Sequence, residues 1–501
     1  MSLIIEDKDR HVFPRWRDFA STRKLGELAI SMPETTNDLS GLDRSLVRGI
    51  AVWEKDRSLW KGLDLLGTVV IANRLTDFPE LVREISENPS APFLARKYLA
   101  SVSTTQPRHE EKQESSLVDE EATRGEIRKS KASLQSSPRD AVEWVELARA
   151  YTILGENIKA GAAINAALFL APFNRFVLRS AARYFIHIGQ IDRAHSILGG
   201  ADQVKVDPWL LASEISVSSA MGKTSKLIRA GRQIATADYR ASDLSELRCA
   251  LGTLEIESGS DRKGKKILRS SLDGANENSV AQISWINRRH LSVPIDISDV
   301  RPPLLHEAEA WSAFYKSNWD VAKNESLLWM IDQPFASAPA VLSSYILSDI
   351  LAEHETAEKI LSAALRANPD DEMLRNNMAV TLMDLGRVGE AESIFEAIPE
   401  EVRTKPDHYA LRATQGMLEF RKNNPEEGRR LYLQTIAAAL EKGVKVTAAR
   451  AAFHLAIEEV IAHTSEAIAA TKRLDEFKSE AQRGEVACLL KRLNTEIDRL
   501  R

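Results

Sequence analysis

Residues 141–174 read AVEWVELARAYTILGENIKAGAAINAALFLAPFN, and the fold is decided there. Bulky residues stand at Trp144, Leu147, Tyr151 and Ile164, and alanines at Ala148, Ala160 and Ala167. Such small residues let two helices of one unit approach closely, while the bulky ones fill the space between adjacent units. Pro172 ends the second helix, because proline cannot continue the hydrogen-bond ladder. The pattern returns 34 residues later, from Arg175, as Leu178, Ala181, Ala182, Phe185, Gly189, Ala194, Leu198 and Ala201. Repetition at this period marks an array of stacked helical hairpins.

The stretch resembles the tetratricopeptide repeat (TPR). That signature runs Trp-type, Leu-Gly, Tyr, Ala, an aromatic or aliphatic residue, Ala and Pro. Seven of its eight positions are filled in type, with Ala148 replacing the glycine. Weaker units follow: a third near Pro208 keeps its turn at Gly222, and a fourth near Ser245 carries Leu251, Gly252, Gly259 and Leu268. Pro294, Pro302 and Pro303 then forbid continuous helix, so 291–303 reads as an extended break. Units resume with Trp319 and Ala322, with Ala357, Leu361, Ala364 and Pro369, with Met378, Ala379, Leu382, Gly386, Ala391 and Phe395, and with Gly416, Gly428 and Tyr432. The resemblance spans roughly 141–440. It implies an all-α, right-handed α-solenoid of TPR-like helical hairpins with a separate small helical N-terminal domain.

The expected organisation is a helical N-terminal domain over 1–102, a polar linker over 103–140, and a first solenoid segment over 141–290. The break at 291–303, a second segment over 304–445 and capping helices over 446–501 follow. The linker is read as flexible or only partly helical, because Glu, Lys, Arg and Ser interleave there with few large apolar residues. In the last helix Val486, Leu490, Leu493, Ile497 and Leu500 form a short heptad stripe. Capping the open end of the array is its expected role, with homodimerisation the alternative.

A chain of 501 residues exceeds a single compact core. Its net charge of −5 gives no global attraction to nucleic acid or anionic membrane. No stretch approaches the roughly 20 apolar residues of a membrane span, and Met1–Arg10 lacks the apolar core of a signal peptide. Cys249 and Cys488 lie far apart, without metal or redox spacing. This suits a reducing compartment, and the cytoplasm is the expected location.

A TPR solenoid displays first-helix side chains on its concave face. Carried onto this sequence, the resemblance implies Glu146 and Arg149 in the first unit, Phe176, Arg179, Arg183 and His187 in the second, and Trp209 in the third. Arginine forks suit carboxylates and aromatic rings suit interface anchors, so the expected ligand is a protein or peptide with an acidic or carboxylate-bearing segment. A solvated face, or ion pairing within the solenoid, is the other reading. Asn376 and Asn377 occupy groove positions in a later unit, where asparagine can bond an extended backbone.

Other chemistry is weak. Val217–Thr224 (VSSAMGKT) has valine where a phosphate loop needs glycine, so Gly222 is better read as a hairpin turn. His454 and Glu458, and Glu459 and His463, are pairs four apart, which reads as surface polarity rather than a metal site. No catalytic constellation stands out, and neither enzyme activity, metal nor cofactor is expected. The basic run Arg262, Lys263, Lys265, Lys266 and Arg269, followed by Arg288 and Arg289 with Trp285 nearby, is the candidate nucleic-acid patch, but the run sits at a turn and the start of a helix, a place normally solvated. The resemblance implies a non-enzymatic scaffold or adaptor, as a component of a bacterial multi-protein system. The alternative is a regulatory subunit of a nucleic-acid-associated complex, for example in phage defence, using that basic face.

Overall fold

The computed structural model describes residues 10–28, 39–71, 75–92, 95–96, 99, 119–290, 294–482 and 484–499. Among them there is helix and no strand. The chain divides into two compact units, one of residues 30–113 with 236–240, the other holding the rest.

The smaller unit contains α2 (Leu39–Lys55), α3 (Leu59–Ile71) and α4 (Pro79–Glu87). Trp53, Leu65, Leu66, Val69, Leu81 and Ile85 form its core. Arg57 covers the Trp53 ring at 4.0 Å.

The larger unit begins with the non-helical residues 10–18 and one short helix, α1 (Phe19–Lys24). After the smaller unit come α5 (Glu120–Ser136) and the hairpins. The first four are α6 (Ala141–Ile153) with α7 (Asn157–Leu170), α8 (Arg175–His187) with α9 (Ile191–Gly200), α10 (Pro208–Ala220) with α11 (Ile228–Ala235), and α12 (Ala241–Glu257) with α13 (Asp261–Ser270). A lone helix, α14 (Glu277–Arg289), stands where a fifth hairpin would start. Non-helical residues around 294–303 replace its second helix. The array resumes as α15 (His306–Tyr315) with α16 (Trp319–Asp332), α17 (Ser337–Tyr345) with α18 (His354–Ala367), α19 (Glu372–Asp384) with α20 (Val388–Glu396), a single turn α21 (Glu400–Arg403), and α22 (Tyr409–Arg421) with α23 (Pro425–Glu441). Then come α24 (Lys445–Ile461), α25 (Ala467–Arg473) and α26 (Gly484–Arg499).

Local chemistry sets this rhythm. Asp140, Asn174, Asp207, Asn276 and Asp371 each cap a first helix by accepting from its leading N–H groups. Ala148, Ala160 and Ala167 are fully buried where α6 meets α7. The turn inside a hairpin needs one residue of positive φ, which glycine adopts without strain. Gly155, Gly189, Gly222, Gly259 and Gly386 supply it in five hairpins; Ser317, Ala352 and Asn423 carry it, at 57°, 56° and 61°, in three others. Those three lack a turn glycine, so their hairpins are fainter in the sequence.

Two expectations change. Residues 120–136 are a helix packed on α6, with Thr123, Ile127, Ser130 and Leu134 buried along one face. The linker reading therefore fails there, and 103–118 lie outside the described residues. Residues 10–28 belong with the array and not with the unit that follows them. Of the break, 291–293 lie outside the described residues.

The array also curls until its start meets α18. Arg366 at the end of α18 pairs with Glu120 at 2.6 Å. A Cβ on Gly155 would stand 1.9 Å from the Arg366 carbonyl oxygen.

Candidate functional site

The concave face of the first half is occupied by the chain itself. Residues 10–19, RHVFPRWRDF, run through it, non-helical as far as Asp18, with Pro14 disfavouring helix in the residue before it. Side chains of the array satisfy the segment's backbone: Gln282 Nε2 donates to Arg10 O at 2.7 Å and Asn278 Nδ2 to Phe13 O at 2.9 Å. The Phe19 N–H donates to Glu146 Oε1 at 2.7 Å. Amide and carboxylate side chains thus hold a main chain whose own groups would otherwise be buried unpaired.

Its side chains meet complementary partners. Trp16 is fully buried, its ring 5.4 Å from Phe335 and 6.2 Å from Tyr184. Phe19 stacks edge-on with Phe176 at 5.3 Å. Arg10 forks onto Glu307 at 2.7 and 3.0 Å and reaches Gln282 at 2.6 Å, while Arg15 also bonds Glu307. Arg17 bonds Asp332 at 2.8 Å and Glu277 at 2.6 Å. Glu277 and Glu307 come from first helices of the array, α14 and α15, and Asp332 from the end of α16.

The electrostatics follow from burial. Glu307 is raised by desolvation, but Arg10 and Arg15 outweigh it and hold the carboxyl at about 2. Glu27 is buried beside Arg179 and Arg17, but also beside Glu277 and Glu246. Burial dominates and pushes it up to about 7. Glu146 is likewise raised to about 7 by burial, against the pull of Arg149.

The residues expected to bind a partner divide accordingly. Arg179 is buried, bonded to Glu246 at 2.8 Å, 3.7 Å from Glu27, and stacked 4.9 Å over Trp209. Trp209 is itself buried. Phe176 receives Phe19, and Arg183 and His187 lie 5.1 and 5.4 Å from the ring of Phe335. Burial and Arg183 lower His187 to about 4, so it is neutral at pH 7. Arg149 lies beside Glu146, its Nε buried without a hydrogen-bond partner. Arg179 thus sits in ion pairs and a stack inside the solenoid, and Arg183 in a stack. What fills the groove is basic and aromatic, opposite in charge to the acidic ligand expected from the sequence.

Asn376 and Asn377 are fully buried between α17 and α19, where Asn377 Nδ2 donates to Ser344 Oγ at 3.3 Å. They serve contacts between neighbouring hairpins and do not line an open groove. His454, Glu458 and Glu459 are buried too, correcting the surface reading. Arg429 reaches Glu459 at 2.9 Å and Arg421 reaches Glu458 at 3.0 Å, while His454 lies 3.7 Å from Asp349. Among the described residues no group of three or more His, Cys, Asp or Glu is placed to hold a metal ion.

The last helix, α26, packs on α24. It buries Val486, Leu489 and Leu493, and Arg492 bonds Asp384 at 2.7 Å. The heptad stripe is thereby used within the chain; Leu500 lies outside the described residues. Val217 is helical and Gly222 forms a hairpin turn. Arg262, Lys266 and Arg269 are exposed on α13, and Lys263 pairs with Glu255 at 2.7 Å. Among the described residues no helix is long and apolar enough to cross a membrane.

Sequence reasoning missed Arg10, Trp16, Arg17, Glu246, Glu277, Glu307 and Asp332. The signal was available in the arginines that bracket Trp16 beside a proline.

Helical hairpins of this period, capped and packed in this way, define a TPR-like helical-repeat protein. The family model described as tetratricopeptide repeat matches residues 352–414. No curated protein matches the sequence. Among solved structures, a human IFIT1 dimer with m7Gppp-AAAA is similar at 14% identity. The match covers 73% of this chain and 96% of that one, with a TM-score of 0.27. Yeast Tom70 is similar at 13% identity over 93% and 97% of the two chains, with a TM-score of 0.29. Naa15/Naa10 bound to HypK-THB is similar at 12% identity over 92% and 80%, with a TM-score of 0.21.

Proposed function

We propose that the protein is a non-enzymatic scaffold that binds a protein partner through its concave face, in the cytoplasm, as a component of a bacterial multi-protein system. One observation carries this reading: the groove holds a non-helical segment by its backbone, through Asn278, Gln282 and Glu146, and by side-chain pockets. That is how a protein surface receives an unfolded stretch of another protein. The two cysteines, Cys249 buried and Cys488 half-buried, are both free thiols, which suits a reducing interior.

The test is affinity purification of the tagged chain from its native cell, with and without nuclease, followed by mass spectrometry. A protein partner retained after nuclease supports the scaffold. Loss of every partner on nuclease treatment, together with salt-sensitive binding of oligonucleotides that disappears on reversing Arg262, Lys266 and Arg269, would transfer the function to the basic face of α13.

A further inference from the structure

The groove and its occupant differ in kind, and that difference points to a specific ligand. Asn278 and Gln282 donate to main-chain carbonyls, which any extended peptide offers, and their oxygens also accept from the Arg10 guanidinium at 3.1 and 2.6 Å. Specificity lies in one aromatic pocket and in the charges. Glu246 is already paired by the array's own Arg179, whereas Glu277, Glu307 and Asp332 are met by Arg10, Arg15 and Arg17 of the segment. Without those arginines three carboxylates would lie at the groove floor with no cation supplied by these pairs, a strongly unfavourable state for buried charge. The groove therefore demands cations on both sides of a ring. The segment belongs to no hairpin, and a separate compact unit intervenes before α5. Leaving would remove no helix from any hairpin, and the contacts given up are the ion pairs above together with the burial of Val12 and Trp16.

We infer that residues 10–19 are a tethered, displaceable occupant, and that the groove takes in trans an extended segment of a protein partner carrying arginines on both sides of an aromatic residue. The inference rests on the scaffold reading and adds the chemistry of the partner. The tether keeps the groove closed to weak or mismatched segments, because an intramolecular occupant competes at high effective concentration. A partner gains entry only by matching the arginine-aromatic pattern or by capturing the released segment's place from it.

The full chain carrying Trp16→Ala and Arg17→Ala tests this, titrated with a fluorescein-labelled peptide of residues 9–20 and followed by anisotropy. Binding to this variant about ten-fold or more tighter than to the unchanged chain is expected, since it loses a buried aromatic anchor and a paired arginine from the competitor. Adding Glu307→Gln and Asp332→Asn to the variant is expected to weaken the peptide by about ten-fold again, and the peptide with Trp16→Ala should not bind. A variant that keeps its helical circular dichroism but binds no peptide would make the segment a fixed part of the array and overturn the inference. Loss of helicity in the variant would overturn it as well, by making the segment a structural strap. Concentration-dependent dimers of the unchanged chain that the peptide dissociates would place a second copy in the groove and overturn the separate partner. Each failure is distinct from that of the scaffold reading, which falls only if no protein partner is retained after nuclease treatment.

Discussion

Arg17 Nη2 donates to Glu277 Oε1 at 2.6 Å, joining residues 260 apart in sequence. The same guanidinium bonds Asp332 at 2.8 Å, so one buried side chain of the leading segment ties two repeats on either side of the break. Arg17→Ala should destabilise the protein by about 3–5 kcal/mol, because it strands buried carboxylates. Release of the segment into water would set a ceiling on that loss. Chemical denaturation of Arg17→Ala, Asp332→Asn and the double variant measures it. Coupling below about 0.5 kcal/mol, the additivity of independent sites, would contradict the pairing.

Trp16 is the apolar anchor of the segment. Trp16→Ala should expose the bonds after Arg15 and Arg17 to trypsin, which the docked chain protects. Equal cleavage rates at these bonds in both proteins would refute the assigned burial.

Glu27 and Glu146 give the docked state a pH dependence. Each has a carboxyl raised to about 7 from an ordinary 4.5. The folded protein therefore holds protons that the unfolded chain releases between these values. Their contribution to stability is complete below pH 4.5 and fades as pH rises through 7. Glu307 works in the opposite sense: held at about 2, it contributes above pH 4.5 and fades only as pH falls toward 2. Melting temperature should rise on going from pH 8 to pH 6, and Glu27→Gln with Glu146→Gln should flatten that rise. An unchanged slope in the double variant would remove these two groups from the account.

Ala352 adopts φ of 56° at an exposed turn between α17 and α18. A side chain there strains the backbone, and Ala352→Gly should stabilise by about 1 kcal/mol. Thermal or urea unfolding would register it; a destabilised variant would mean the turn is not left-handed.

The sequence reading succeeded where chemistry is local. Hairpins announce themselves through capping Asp or Asn, a turn glycine and alanines at the helix crossing, all within one 34-residue window. It failed where pairing is distant. Glu458 and Glu459 look like surface residues until Arg421 and Arg429, about one repeat earlier, are brought beside them. Helix α5 was obscured because two of its four buried stripe positions are Thr123 and Ser130, which count as polar. The groove segment was invisible for a related reason: a non-repetitive stretch has no periodicity, and its partners are spread from Glu146 to Phe335.

The closure between Gly155 and Arg366 bears on how this array can change over time. An open ladder of repeats tolerates gain or loss of a rung, since each rung touches only its neighbours. Here the first hairpin also meets α18, and the leading segment spans the rungs between. Duplicating or deleting one hairpin between α7 and α18 would carry Arg366 past its seat against Gly155. Repeat number in this stretch is therefore a fixed dimension of the molecule, and variation in length is confined to the rungs beyond α18.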